Sequence, residues 1–279
     1  MSWIDFILNL VCVLLWLNWR AVRLTAPTPA PVLSLAASLK RAEPRPAKRW
    51  LYLCGLAVLL GVRGLFYWQV GSALHWTPTL RLGAIAPPFR SDYPGRMQLY
   101  SALSFLVALG VFYLWLLLLS IVNRDLPEAD PIQRLLRLQL GRANRWPWWV
   151  QLALPGLVVA LSWLGLNGLF VRLGLVAAVP PGALWQQAVI LGGASYLAWK
   201  YFLIGLLAIH LVNSYVYIGP APIWNYVSLT GARLLRPLRP LPLRFGKVDL
   251  APVVAVALVW GIAAYADRGL THLYQHPVF

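Results

Sequence analysis

The sequence predicts an all-α membrane protein with six transmembrane helices, arranged as three repeated helical hairpins that each carry a cytoplasmic amphipathic interfacial helix. Three observations lead there. Of 279 residues, 60% are hydrophobic and 11% charged, and mean hydropathy is +0.66, more apolar surface than a water-soluble domain of this size can cover. Apolar blocks long enough to cross ~30 Å of hydrocarbon recur along the chain. In three places a block ends at an Asn before a basic, Pro-rich loop and a second block, at LLWLNWR (Leu14–Arg20), LLLLSIVNR (Leu116–Arg124) and LLAIHLVNS (Leu206–Ser214). Recurrence at this spacing is what triplication of a two-helix unit leaves behind.

The six blocks fall at about 3–19, 50–70, 99–122, 147–170, 184–213 and 249–268. The first lacks a basic leader and a small-residue cleavage site and carries Trp16 and Trp19 where a signal peptide is cut, so it reads as a retained helix. The organisation is a first hairpin over 1–70, an external loop over 71–98, a second hairpin over 99–179 and a third over 180–279. Residues Gly71–Arg96, rich in Pro and Gly and without periodicity, read as irregular. Trp50 and Tyr52, and Trp146, Trp148 and Trp149, sit at span ends as an aromatic belt does. Cys12 and Cys54 lie at different depths in different helices, which argues against a disulfide and for buried structural thiols.

Net charge is +16, concentrated in the loops within hairpins: residues 20–49, 123–146 and 214–248 hold seven, five and five Lys or Arg, whereas 71–98 and 171–183 hold three and one. The positive-inside rule puts the three intra-hairpin loops in the cytoplasm and both termini outside, as for a multi-pass protein of a bacterial inner membrane. Because these cations abut spans, anionic lipid headgroups rather than nucleic acid are the expected partner. Each basic loop also contains a stretch with helical spacing, at Val32–Ala42, Pro131–Ala143 and Ile223–Arg236. In the second, Ile132, Leu135, Leu136 and Leu140 form one side, with Arg134, Arg137 and Arg142 largely elsewhere, a pattern suited to the membrane interface.

The run Leu234–Pro252 contains Leu234, Leu235, Arg236, Pro237, Arg239, Gly246, Asp249 and Pro252 in order. It resembles the signature of the YggT family of small bacterial and plastid membrane proteins, in which a Leu-Leu-Arg-Pro-x-Arg run is followed by a Pro, a Gly pair and Asp-x-Ser-Pro opening the next helix. Ala232 and Arg233 replace the acidic residue and Pro that usually precede the run, Lys247 replaces the second Gly and Ala251 the Ser. Typical members look like two hairpins, and this chain resembles an enlarged relative. Lys200 falls where many members have Lys or Arg in the first helix of a repeat. Independently of the resemblance, Asp249 suits an N-cap of the last helix, Pro252 its first turn, and Gly246 a backbone turn. Arg236 and Arg239 suit phosphate gripping or a hold on the preceding helix end.

Chemistry-bearing residues are sparse. Eight acids occur, none central in a span, and Asp125, Glu128 and Asp130 form a short acidic group after the third span that reads as a charge balance for Arg124 and Arg134 rather than a metal site. Lys200, near the middle of the fifth span, is the strongest anomaly, either a structural contact or a functional site, with another subunit as one source of its counter-charge. Arg63 in the second span poses the same question but lies near enough to the outer end to snorkel. His210 is a lone His on an apolar helix, a packing residue before it is a haem or chlorin ligand. Asn18, Asn123 and Asn213 suit helix caps or inter-helix hydrogen bonds. No cofactor or metal site emerges.

The reading is a non-enzymatic membrane scaffold or assembly factor whose basic interfacial helices, through Arg134, Arg137, Arg236 and Arg239, engage lipids and membrane-protein partners or further copies of itself. The resemblance implies loose links to envelope organisation, stress tolerance and, in plastids, assembly of a cytochrome's haem. One alternative is an anion channel or transporter lined by Lys200 and Arg63, although neither paired interrupted helices at mid-membrane nor a ring of like residues is legible. The other is an accessory subunit of a cofactor-bearing complex using His210.

Overall fold

The structure, a computed structural model, describes residues 2–24, 49–74, 76–83, 85–125, 131–216, 219, 221–245 and 248–276. The first basic loop with its expected interfacial helix at 32–42, and Glu128, Asp130 and Gly246, lie outside the described residues. Among the described residues, regular structure is helical apart from one small antiparallel pair and two isolated bridges. The helices are α1 (Ser2–Leu24), α2 (Arg49–Ala73), α3 (Pro94–Val122), α4 (Pro131–Leu140), α5 (Trp148–Arg172), α6 (Pro181–Ala194), α7 (Trp199–Tyr215), α8 (Pro222–Leu234) and α9 (Ala251–Gln275). Taking α6 and α7 together, six are long and apolar enough to cross a membrane, which makes this a multi-pass membrane protein. Large exposed side chains follow from that solvent. Leu51, Val58, Val62, Trp185, Val189 and Ile262 are each more than half exposed and need no polar cover in hydrocarbon.

Local chemistry explains the element ends. Pro94, Pro131, Pro181 and Pro222 open their helices at the position where a missing N–H costs nothing. α5 ends in a Schellman motif. Gly174 takes φ +65°, its N–H donates to the Val171 carbonyl, and the Leu175 N–H reaches back to Phe170, whose ring is buried as Leu175 is.

The chain forms two compact units, Met1–Pro78 with Phe89–Leu109, and Thr79–Pro88 with Gly110–Phe279. In the first, α1 packs on α2 and both meet the start of α3. Gln98 Nε2 donates to the Gly61 carbonyl at 3.0 Å and Ser101 Oγ to the Leu60 carbonyl at 3.0 Å. Tyr67, Trp76, Phe89 and Tyr100 form a connected aromatic cluster there. Between α2 and α3 the described residues form turns and isolated bridges rather than a regular element. Phe89 is fully buried in the first unit. Residues 79–88 of the second unit fold back on themselves through the bridges Thr79–Pro88 and Leu82–Ile85, with Leu80 and Ile85 buried.

In the second unit the fifth span is not continuous. A 3₁₀ turn at Ser195–Ala198 separates α6 from α7 near its middle, and α5 beside it carries Pro155 in its interior. Pro155 cannot donate, and beside it the Gly156 N–H donates to the Tyr196 hydroxyl at 3.0 Å while that hydroxyl donates to the Leu152 carbonyl. One side-chain hydroxyl thus engages both a backbone donor and a backbone acceptor in the turn that holds the proline. The helices touch backbone to backbone here, for a Cβ on Gly192 would lie 2.7 Å from the Gly156 carbonyl oxygen. Two indoles complete the join, Trp115 Nε1 donating to the Ala198 carbonyl at 3.1 Å and Trp199 Nε1 to the Leu114 carbonyl at 3.0 Å. The break thus lies in the fifth span alone, beside a continuous α5 that carries a proline, and protein side chains engage backbone groups at the join.

Candidate functional site

The second unit builds its basic edge on a buried polar latch. Asn123, one residue past α3, is fully buried, and its Nδ2 donates to the Thr230 hydroxyl at 2.8 Å and the Tyr226 hydroxyl at 3.0 Å, both on α8. Gln133 of α4 joins them. Its Nε2 donates to the Asn123 carbonyl at 3.2 Å and its Oε1 accepts from Tyr226 at 3.3 Å. Tyr226, Thr230 and Gln133 are all nearly inaccessible. Arg233 donates to the Val122 carbonyl at 3.3 Å. Asn213 of α7 holds α8 from the other side, donating to Ser228 Oγ. Gly231 lets α8 lie against His210, since a Cβ there would sit 2.7 Å from the His210 Cβ. Among the repeated asparagines, then, Asn123 and Asn213 tie helices together, and Asn18 donates to the Leu14 carbonyl in its own helix at 3.0 Å.

The latch decides which side chains face out. On α4 the buried stripe is Gln133, Leu136 and Leu140, with Leu136 and Leu140 packed on Leu117 of α3. Leu135, expected on that stripe, is instead 60% exposed, beside exposed Leu138, Arg134 and Arg142. The spacing reading missed this because it assigned the polar Gln133 no place in the interior. Arg137 is half-buried. After α8, a 3₁₀ turn at Arg236–Leu238 leaves Arg236 and Arg239 exposed, while Leu235 packs with Leu207 of α7 and Ala255 of α9. Asp249 ends the short pair Arg244–Phe245 (β1) and Val248–Asp249 (β2), and its Oδ1 accepts from the Ala251 N–H at 2.9 Å. It caps the start of α9 from one residue before the cap position, next to buried Pro252.

The first unit holds a charged site that sequence reasoning placed wrongly. Arg63 does not snorkel: its side chain is wholly buried and forms an ion pair with Asp5 at 2.9 Å, the one salt bridge among the described residues. The guanidinium also donates to Asn9 Oδ1 at 2.6 Å, Ser104 Oγ at 3.1 Å and Tyr67 at 3.2 Å. Tyr67 in turn donates to Asp5, as does Tyr100 at 3.3 Å. Buried Cys12 lies two turns along α1 from Asp5, whereas Cys54 is exposed, contrary to the expectation of two buried thiols.

No family model, curated protein or solved structure matches the chain.

Lys200 lies one residue into α7, directly after the 3₁₀ turn. Its ammonium sits 4.7 Å from the centre of the Tyr201 ring, which is 70% exposed. No acid pairs with it among the described residues. His210 turns its Nδ1 into the interior without a hydrogen-bond partner. Asp125 is exposed, and among the described residues no three His, Cys, Asp or Glu side chains come together as a metal site would require. Asp5, Asn9, Tyr67, Tyr100 and Ser104, and Tyr196 with Trp115 and Trp199, were missed from sequence.

Proposed function

We propose that the protein is a non-enzymatic membrane scaffold or assembly factor of the YggT type, which uses its basic edge to hold anionic headgroups and partner membrane proteins at the cytoplasmic face of a bacterial inner membrane. The observation that carries this reading is the pairing of a rigid inside with a free outside on one short segment. α8 is locked by Asn123, Asn213 and Gln133, and the chain that leaves it presents Arg236 and Arg239 exposed. Two guanidinium groups three residues apart on a fixed turn are pre-organised for phosphate or carboxylate oxygens. Arg134 on α4, beside exposed Leu135 and Leu138, extends the cationic and apolar edge in the manner of an interfacial helix. The Leu234–Pro252 resemblance points the same way.

The test is retention of anionic phospholipid and of membrane-protein partners by purified protein, measured by native mass spectrometry and by affinity capture from native membranes. Arg236→Ala with Arg239→Ala should insert normally yet lose most bound anionic lipid or partner. Unchanged retention of both would refute the proposal. The anion-path alternative has less support, because Arg63 spends its donors on Asp5, Asn9, Ser104 and Tyr67; anion flux in liposomes that is lost in Lys200→Ala would restore it.

A further inference from the structure

We infer that Lys200 and Asp267 are the two halves of a reciprocal intersubunit ion pair, through which two copies of this chain associate side by side in the membrane. The inference goes beyond the lipid-holding edge and does not depend on it. Lys200 is a cation about 22 Å along α7 from Tyr215, too deep for a headgroup phosphate and without an acid among the described residues. Asp267, on α9, is exposed and likewise unpaired there; Arg268, the next residue and also exposed, forms no bridge with it.

Their levels correspond. α7 and α9 run antiparallel. Leu207 packs in one cluster with Ala255, and a Cβ on Gly193 would lie 3.6 Å from Leu270. Lys200, midway between Gly193 and Leu207, is therefore level with Ile262 and Ala263. Asp267 lies just over one turn further along α9, roughly 7 Å, a rise that an extended lysine stem can follow. Two copies inserted in the same membrane share their orientation, so these levels persist in a neighbour. A two-fold axis along the membrane normal then presents each Lys200 to the other copy's acid, and forms the contact twice.

The surface that would meet is bare. On Asp267's own stripe of α9, Trp260 and Val253, seven and fourteen residues before it, are 61% and 49% exposed. A lipid cannot supply a carboxylate at this depth, whereas the chain itself carries one.

Single-molecule photobleaching of labelled full-length protein in liposomes tests this. Wild type should bleach in two steps. Lys200→Asp alone and Asp267→Lys alone should each associate about tenfold more weakly, because each places like charges together at both contacts. Mixing the two charge-reversed chains should restore dimers containing one of each, a rescue that only an intersubunit pair can produce and that also shows both chains are folded. Should a reversal prevent folding, Asp267→Asn must still lower the dimer fraction. A monomeric wild type, a single reversal that dimerises as wild type does, or a mixture without mixed dimers overturns the inference.

Discussion

At the scale of single residues, Arg63 is the clearest case of chemistry set by solvent. A guanidinium in hydrocarbon is tolerable only when its donors are engaged, and here Asp5, Asn9, Ser104 and Tyr67 engage them. Removing one partner of a buried pair strands the other, so Arg63→Ala should lower stability by about 3–5 kcal/mol, read as the shift in unfolding midpoint in mild detergent. Replacing both charges together, Asp5→Leu with Arg63→Met, should recover most of that loss, and a double-mutant cycle measures the difference. The pairing was hard to read from sequence because 58 residues separate the partners. A signal existed nonetheless: Asp5 and Asn9, Arg63 and Tyr67, and Tyr100 and Ser104 are three polar pairs, each four apart on an apolar helix, and each therefore a polar stripe seeking another.

At the scale of elements, the spans were legible because an apolar block of membrane length has few other uses, and the observed helices match the expected blocks closely. The break at Ser195–Ala198 was not legible, since Ser-Tyr-Leu-Ala is compatible with helix and the departure follows from contacts with α5. Tyr196→Phe should therefore destabilise the protein by about 1–3 kcal/mol, because no water enters to take the hydroxyl's place between Gly156 and Leu152. Thermal unfolding followed by circular dichroism in lipid nanodiscs would report it. Gly192→Leu should be worse, as its side chain meets backbone rather than a movable group. For α8 the expected outcome is loss of docking: Asn123→Leu deprives Tyr226 and Thr230 of their shared donor, and trypsin should then cut after Arg233 faster than in wild type, with the spans intact.

At the scale of the whole molecule, the arrangement proposed above puts both termini on one side of the membrane and the basic loops on the other. Cysteines introduced singly at Asp125 and Arg236, both exposed, in a variant lacking Cys12 and Cys54, should react with an impermeant maleimide from the same face, and a cysteine at His276 from the opposite face. Labelling of Asp125 and Arg236 positions from different faces would contradict the arrangement of basic loops. The Asp5–Arg63 bond also has a consequence for biogenesis. The carboxylate leaves the ribosome 58 residues before its guanidinium, an interval of roughly 3–12 s at ordinary translation speeds. Throughout it, the first segment must wait at the insertion machinery or the lipid boundary with an unneutralised acid, so its lateral release into the bilayer should be timed by the arrival of the second.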